Sequence, residues 1–259
     1  MKYIHSLWSD PYKKYENGSF EFNSQSFATR NFVYFFLSAL LIKKLGHSID
    51  LYCDKESYEL YSNIPYDNIN IVNFNDDNIN PQYWIWSKIK TQKLINEPYV
   101  HIDGDVFFFE DIIKNNLKNE KFIIQSIENN QTMKWCFFDT YLKDINIIAS
   151  MISDKNIEWY KYGMQAYNCG VIGFNDMSLK NIYISKIEEI IKNLDVPSKL
   201  YRYNPIFMVI EQALLFYLMK ENNEKPFDVL KYKDIVKFNC DYDLLEKKMG
   251  YEYLLGHIK

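Results

Sequence analysis

Short apolar runs alternate with longer helical patterns through the first half of the chain, and this alternation restricts the fold more than any other feature. The runs are rich in β-branched and aromatic residues, and the longer segments carry apolar residues at helical spacing. Strands are predicted over residues 2–8, 48–53, 68–74, 99–102, 122–127 and 169–174, and helices over 27–45, 54–62, 81–96, 179–194 and 205–220. Gly46 follows the first predicted helix, where a left-handed residue ends a helix at little cost. The pattern is typical of βαβ units and predicts an α/β fold with helices on the faces of a sheet.

The composition favours a single folded domain. Of the 259 residues, 47% are hydrophobic and 17% are aromatic, which suffices for a sizeable core and argues against a disordered chain. The formal net charge is -4, and no long block of Lys or Arg occurs. Binding to a nucleic-acid backbone usually requires a basic face, so nucleic acid is not expected as a partner.

The cysteines and the apolar segments predict a cytoplasmic protein. The four cysteines lie far apart without a zinc-like spacing, so they are interpreted as reduced core residues. The first residues lack the apolar run of a signal peptide. The longest mainly apolar run, residues 32–42, is shorter than the roughly 20 residues of a transmembrane helix, which leaves only peripheral contact with a membrane. The abundance of Asn, Ile, Lys and Tyr hints at an AT-rich, bacterial coding sequence.

Two carboxylates separated by one glycine follow the predicted strand 99–102. Asp103, Gly104 and Asp105 have apolar residues on both sides, which places the two charges at a strand end. In an open α/β sheet, ligands bind beyond the carboxyl ends of the strands. Two neighbouring carboxylates repel each other unless a cation is bound or one of them is protonated. A solvated turn with two surface acids is the alternative, but it does not require apolar runs on both sides.

Carboxylate oxygens at such a position favour a divalent cation. They are hard ligands that suit Mg²⁺ or Mn²⁺, and these ions keep positions open for substrate phosphates and water. The pair therefore predicts a site that binds a cation and a diphosphate together. Gly104 fits this interpretation because a missing Cβ permits a tight bend and the close approach of a ligand.

Five segments of the chain together resemble a known enzyme family. They are residues 86–90 (WSKIK), 99–105 (YVHIDGD), 167–175 (YNCGVIGFN), 211–215 (EQALL) and 255–259 (LGHIK). The first two are similar to the donor-binding segment of GT-A glycosyltransferases, and the others to their Asn-x-Gly strand, acidic-Gln helix and late His-containing metal segment. Their order is closest to glycosyltransferase family 8, the glycogenin-like family, and its uncharacterised bacterial relatives. The late segment departs from the family's pattern, since Gly256 here precedes His257.

The resemblance implies a fold, an activity and a cofactor. The fold would be a single GT-A domain over residues 1–259, with a mixed, mainly parallel sheet flanked by helices. Residues 1–110 would form the nucleotide-sugar donor half, and residues 111–259 the acceptor half. The activity would be metal-dependent transfer of a sugar, as in hexosyltransferases, from a nucleoside-diphosphate sugar to an acceptor hydroxyl in bacterial glycan synthesis. The donor would be a UDP-sugar, the cofactor Mn²⁺ or Mg²⁺, and the acceptor a glycan, a lipid-linked molecule or a protein.

The resemblance also implies residues for the metal and the diphosphate. Asp105 would bind the metal directly, while Asp103 would contact the donor ribose or sugar, or the metal through water. His257 would complete the metal shell through a ring nitrogen, unless it is an ordinary surface histidine. Lys88 would contact the phosphates, unless it is a solvated helix lysine, and Lys259 would add a further phosphate contact.

Other candidates concern the base and the sugar of the donor. Trp8 would stack on the base, with a place in the core as the alternative, and Asp54 would accept a hydrogen bond from the base or ribose. Asn168 and Gly170 would line the sugar pocket, and Asn168 is also a candidate for catalysis.

The predicted helix 205–220 carries the candidates for catalysis. Glu211 and Gln212 would face the donor sugar or the acceptor. In an inverting enzyme Glu211 would act as the general base on the acceptor hydroxyl, and in a retaining enzyme it would orient hydroxyls. A solvated helix acid is the alternative.

Two other functional classes stay open on the sequence. A metal-dependent nucleotidyltransferase or phosphohydrolase would use the same carboxylates, although such enzymes usually need more clustered acids for a two-metal site. A non-catalytic carbohydrate-binding module would account for the many aromatic residues.

Overall fold

A computed structural model describes most of the chain. The described residues are 2–16, 19–22, 25–75, 79–80, 83–108, 111, 120–129, 165–193, 209–229 and 255–257. The chain divides into two compact units, one formed by Met1–Asn115 with Glu246–Lys259 and the other by Asn116–Leu245. The predicted division of one domain into halves 1–110 and 111–259 stays a prediction.

The first unit contains eight described strands and three α-helices. The strands are β1 (Lys2–Leu7), β2 (Lys13–Glu16), β3 (Ser19–Phe22), β4 (Ile49–Cys53), β5 (Asn68–Ile71), β6 (Tyr99–Ile102), β7 (Val106–Phe108) and β11 (Leu255–His257). The helices are α1 (Gln25–Lys44), α2 (Lys55–Tyr61) and α3 (Trp86–Leu94), and a 3₁₀ turn covers Asp10–Tyr12.

Four strands of the first unit form a parallel sheet in the order β6, β1, β4, β5. All four residues of β6 are buried, and so are most residues of β1 and β4. This burial explains why these strands appear in the sequence as continuous apolar runs. Because the strands are parallel, their carboxyl ends lie at one edge of the sheet. The residues that follow Leu7, Cys53 and Ile102 therefore lie at this edge.

The helices of the first unit pack against these strands, and the first of them ends at a glycine as its sequence predicts. Helix α1 contacts β4 and β7, and α3 contacts β1. Gly46 has φ of +83°. Its own amide and the next one close a Schellman motif, with Gly46 N donating to Lys43 O and His47 N to Ile42 O. The predicted helix 81–96 is shorter in the structure and begins at Trp86, after a turn in which Trp86 N donates to Tyr83 O.

The remaining strands of the first unit form two antiparallel pairs. Strands β2 and β3 make a hairpin. Strand β11 pairs with β7, and His257 lies opposite Val106 in the register.

The second unit contains strands β8 (Phe122–Asn129), β9 (Gln165–Phe174) and β10 (Phe227–Asp228). Its helices are α4 (Met177–Asn193), a π-helix (Val209–Ala213) and α5 (Leu214–Glu221). Strand β8 pairs antiparallel with β9, with an irregularity between Ile124 and Ser126, and parallel with β10.

The helices of the second unit cover strand β9, and aromatic side chains fill the space between them. Helices α4 and α5 and the π-helix contact β9. Phe174 stacks with Phe122 of β8 and with Tyr183 of α4. Strand pairing in the two units is thus mixed and mainly parallel with flanking helices, and the predicted α/β fold class is confirmed. None of the helices in the described ranges is long and apolar enough to cross a membrane.

Candidate functional site

A tight turn carries the two predicted metal-binding carboxylates. Strand β6 ends at Ile102, and the amide of Val106 donates to the carbonyl of Asp103 at 3.1 Å, which closes the turn before β7 begins. Asp103 and Asp105 are half-buried, whereas the residues before and after the turn are fully buried. The buried strands therefore fix the turn at both ends and leave its carboxylates partly open to solvent.

Gly104 is required by the packing of helix α1. A Cβ at this position would lie 2.1 Å from Cε2 of Phe35, closer than any two non-bonded carbon atoms can approach. The sequence predicted that this glycine would let a ligand approach, but the space beside it holds the Phe35 ring. Gly104 thus lets α1 pack against the turn.

Lys88 of helix α3 is buried and pairs with one of the carboxylates of the turn. Its ammonium Nζ is 3.0 Å from Asp103 Oδ1, and the side chains are 5% and 33% exposed, respectively. Since a buried ammonium is unfavourable without a partner, the ion pair holds both side chains in place. The alternative of a solvated helix lysine is wrong, because α3 directs Lys88 inward. Its predicted contact with donor phosphates stays a prediction.

His101 precedes the turn and is also buried. Its Nε2 is hydrogen-bonded to Ser6 Oγ at 2.8 Å, and its Nδ1 lies 4.0 Å from Asp103 Oδ1. Burial and the nearby Lys88 ammonium hold the pKa of His101 well below its usual value. The imidazole is therefore neutral, and Lys88 supplies the positive charge beside Asp103.

Strand β11 carries His257, the predicted third metal ligand, and pairs with the strand that follows the turn. The pairing of β11 with β7 places the backbone of His257 opposite Val106, one residue beyond Asp105. Among the side chains that the structure describes, no group of three His, Cys, Asp or Glu residues is arranged to hold a metal. The role of His257 stays a prediction, and Lys259 lies outside the described residues.

Two residues that were predicted to bind the donor make contacts within the protein. Trp8 is 1% exposed and packs against Phe74, so the structure places it in the core and corrects the expectation of a surface open to a base. Asp54 caps helix α2, because its Oδ1 accepts from Ser57 N at 2.9 Å. Its Oδ2 accepts from the amide and the hydroxyl of Ser9. The structure thus gives Asp54 a structural role, and its predicted contact with the donor stays a prediction.

Asn168 and Gly170 belong to a polar cluster of the second unit, between β8 and β9. Asn168 Nδ2 donates to Glu128 Oε1 at 2.7 Å, and its Oδ1 accepts from Gly170 N at 2.9 Å. A Cβ on Gly170 would lie 2.2 Å from Oε1 of Gln125. The glycine therefore makes room for a protein side chain, and the predicted sugar pocket stays a prediction.

Glu211 and Gln212 lie in the π-helix of the second unit. They are 1% and 7% exposed, so the alternative of a solvated helix acid is wrong for Glu211. The carbonyl of Glu211 accepts from the hydroxyl of Tyr183 at 3.4 Å. Single π-helical turns are rare in proteins as a whole and occur often at functional sites. Their catalytic roles stay predictions.

The supporting role of residues on α1 and β1 was missed in the sequence. Phe35 and Ser38 lie one helical turn apart on α1, and they contact the turn at Gly104 and at Val106, respectively. His5 lies between them on β1. The signal in the sequence for these supporting residues was His5, a polar residue inside a mainly apolar strand.

The two carboxylates of the turn are of the ligand type that a divalent cation prefers. Two carboxylates two residues apart supply hard oxygen ligands, and their partial exposure leaves room for phosphate oxygens and water. Lys88 neutralises one of the two charges, so a bound cation would meet a net charge of about one negative unit. Such a site holds a cation more firmly when an anionic ligand binds with it.

Comparisons with solved structures give distant likenesses. The structure of mouse xyloside xylosyltransferase 1 in its apo form has a TM-score of 0.46 and 10% identity, over 100% of this chain and 98% of that one. A 4-diphosphocytidyl-2C-methyl-D-erythritol synthase from Anaerococcus prevotii gives 0.43 and 13%, over 91% and 94%. The galactosyltransferase LgtC, in complex with donor and acceptor sugar analogues, gives 0.40 and 14%, over 80% and 70%. These values are too low to assign an activity.

Comparisons of sequence give a family. No curated protein matches the sequence. One family model, described as "Family of unknown function (DUF6734)", matches residues 1–259. Because this match spans the whole sequence, the chain belongs to the family DUF6734.

Proposed function

We propose that this protein is a metal-dependent glycosyltransferase that moves a sugar from a nucleoside-diphosphate sugar to an acceptor hydroxyl. The observation that carries the proposal is the turn at the end of the buried strand β6. It presents two half-buried carboxylates, Asp103 and Asp105, at the edge where ligands bind in open α/β sheets. A UDP-sugar is the proposed donor and Mn²⁺ or Mg²⁺ the proposed cation.

Asp105 is the proposed direct ligand of the cation. Asp103 is paired with Lys88 through Oδ1, and it would bind the cation through water or through its other oxygen. His257 is the proposed third ligand, since its backbone lies opposite Val106. Oxygen atoms of the donor diphosphate and water would complete the shell.

The bound cation would stabilise the negative charge that develops on the diphosphate as the sugar leaves. The protein's own part is to hold the carboxylates where the charge appears. Lys88 fixes Asp103 by an ion pair at 3.0 Å, and the packing of Phe35 against Gly104 sets the position of the turn. Both contacts hold the turn from within the protein, through a side chain of α3 and a ring of α1.

A thermal-shift screen tests the donor and the metal together. Wild-type protein is mixed with UDP, GDP, CDP or the corresponding sugars, with Mn²⁺ or with EDTA. A ligand that binds only the folded protein raises Tm, so the proposal expects a shift with one nucleotide and Mn²⁺ that EDTA abolishes. An equal shift in EDTA would argue against a metal-bound diphosphate.

Substitutions separate the metal site from a general charge effect. Asp105→Asn removes one charge from the turn. Glu97→Gln is the matched control, since Glu97 is a 64% exposed surface acid whose carboxylate lies 3.6 Å from Lys2 Nζ. Loss of several kcal/mol of charge stabilisation corresponds to at least about a 100-fold lower kcat for Asp105→Asn. Glu97→Gln should retain wild-type activity. Release of pyrophosphate from a nucleoside triphosphate would indicate a nucleotidyltransferase instead.

A further inference from the structure

His5 is a fully buried histidine at the centre of a hydrogen-bonded chain. It lies on β1 with no exposed surface. Its Nδ1 is 2.7 Å from the hydroxyl of Tyr66, and its Nε2 is 3.1 Å from Oγ of Ser38 on α1. Ser38 Oγ in turn donates to the carbonyl of Val106 at 2.7 Å. The chain thus runs from the loop before β5 to the end of the carboxylate turn.

The protons of this chain have a single consistent arrangement. Ser38 has one hydroxyl proton, and it is donated to Val106, so Ser38 accepts the Nε2–H of His5. The Nδ1 atom is then the acceptor of the Tyr66 hydroxyl. Burial raises the pKa of Tyr66 well above its usual value, so this hydroxyl keeps its proton. Tyr66 therefore fixes the tautomer that His5 needs in order to bind Ser38.

His5 reaches the turn by a second route, through an aromatic contact. Its ring meets Phe35 edge-on, with ring centres 5.2 Å apart. The Phe35 ring fills the space beside Gly104. One side chain thus supports both α1 residues that touch the turn, Phe35 at its second residue and Ser38 at its last.

We infer that His5 is a positioning residue for the turn Asp103–Val106. It holds Ser38 and Phe35 in the orientations by which helix α1 fixes the turn that carries both carboxylates. The link from this positioning to metal binding rests on the proposed function, whereas the positioning of the turn does not.

Three substitutions separate the hydrogen bonds of His5 from its volume. His5→Phe keeps an aromatic ring against Phe35 and removes both nitrogen atoms. His5→Gln keeps one donor and one acceptor and should rescue the contact with Ser38. Ser38→Ala removes the donor to Val106 directly. Where His5→Phe does not fold, Tyr66→Phe takes its place, because it removes the donor that fixes the tautomer.

The measurement is amide hydrogen exchange over residues 99–108 in the full chain without metal. We expect exchange to rise about ten-fold in His5→Phe and Ser38→Ala, the effect of one lost buried hydrogen bond, and to stay near wild type in His5→Gln. Tyr183→Phe is the matched control, because it removes a buried tyrosine hydroxyl in the second unit and should leave this exchange unchanged. Exchange that stays at the wild-type rate in His5→Phe, or in Tyr66→Phe where that variant takes its place, overturns the inference even if Ser38→Ala exchanges faster.

Metal titration then tests the link to the proposed function. The affinity for Mn²⁺ in the presence of UDP should fall about ten-fold in His5→Phe and recover in His5→Gln, with the same ranking as the exchange rates. If the wild type binds Mn²⁺, faster exchange in His5→Phe together with an unchanged affinity for Mn²⁺ would contradict the link. A wild type that binds no Mn²⁺ with any nucleoside diphosphate overturns the proposed function, and the exchange rates alone then decide the positioning role.

Discussion

Lys88 and Asp103 form an ion pair in which the cation is almost fully buried and the anion is one-third exposed. The Nζ and Oδ1 atoms are 3.0 Å apart, and the side chains are 5% and 33% exposed. Water can solvate the carboxylate if its partner is lost, but it cannot reach the ammonium. The two halves of the pair should therefore respond differently to substitution.

Asp103→Ala should destabilise the protein more than Lys88→Met does. Removal of the carboxylate leaves a buried ammonium with one partner fewer, which costs about 1–3 kcal/mol. Replacement of the ammonium by an apolar side chain of similar length costs less than about 1 kcal/mol, because Asp103 is open to water. Urea unfolding of both variants measures the difference. An equal loss of stability, or a larger loss for Lys88→Met, would contradict this account of the pair.

Gly104→Ala should disturb the turn through Phe35. The added Cβ would overlap the ring, at 2.1 Å from Cε2, so the ring or the turn must move, at a cost of about 1–3 kcal/mol. Phe35→Leu alone costs about 1–2 kcal/mol because it leaves a cavity. In the double variant the smaller side chain makes room for the new methyl group.

A double-mutant cycle therefore tests the contact between Gly104 and Phe35. The combined loss of unfolding free energy should be smaller than the sum of the two single losses by about 1 kcal/mol. Strict additivity would indicate that Gly104→Ala acts by another route.

The stability of the protein should fall as the pH falls below about 6.5, in part because of His5. Burial lowers the pKa of His5 to about 3, although the nearby Asp105 carboxylate acts in the opposite direction. The unfolded chain binds a proton near pH 6.5, whereas the folded protein does not bind it until near pH 3. The contribution of neutral His5 is therefore fully present above pH 6.5 and is lost as the pH approaches the folded pKa.

Urea unfolding at pH 7.5, 6 and 5 measures this slope, which for one such group approaches about 1.4 kcal/mol per pH unit. His101 acts in the same direction, because its pKa is also lowered by burial. The variant His5→Gln has one histidine fewer to titrate, so its stability should fall less steeply with pH than that of the wild type. Identical slopes would mean that the pKa of His5 is the same in the folded protein as in the unfolded chain, and would contradict this account.

The strands and the carboxylate turn could be predicted from local sequence, but the contacts that hold the turn could not. Strand β6 is buried on both faces and therefore appears as an unbroken apolar run, and the charges of Asp103 and Asp105 follow it directly. Lys88 was identified as a candidate, but helical spacing alone does not reveal that it points inward to Asp103.

Gly104 shows the same limit more sharply, because its role depends on Phe35, which lies on a distant helix. A missing Cβ suits a tight bend, a ligand or a packed ring equally well, and only the tertiary structure distinguishes them. Trp8 is a related case, because a large aromatic residue at a strand end suits either a core or a ligand site. The structure shows that the alternative of a core residue is correct.

Asp54 should stabilise the protein through its hydrogen bonds to helix α2 and to Ser9. Asp54→Ala removes the acceptor of Ser57 N as well as the acceptor of the Ser9 amide and hydroxyl. Asp54→Ser keeps a good N-cap oxygen for Ser57 N but is too short to reach Ser9. The serine variant should therefore be more stable than the alanine variant by about 1 kcal/mol, the usual contribution of an N-cap side chain, and urea unfolding measures this difference.

Both Asp54 variants should bind UDP and Mn²⁺ with similar affinity if Asp54 is purely structural. A loss of nucleotide binding that is equal in both variants, without an equal loss of stability, would instead assign Asp54 a direct contact with the base or the ribose.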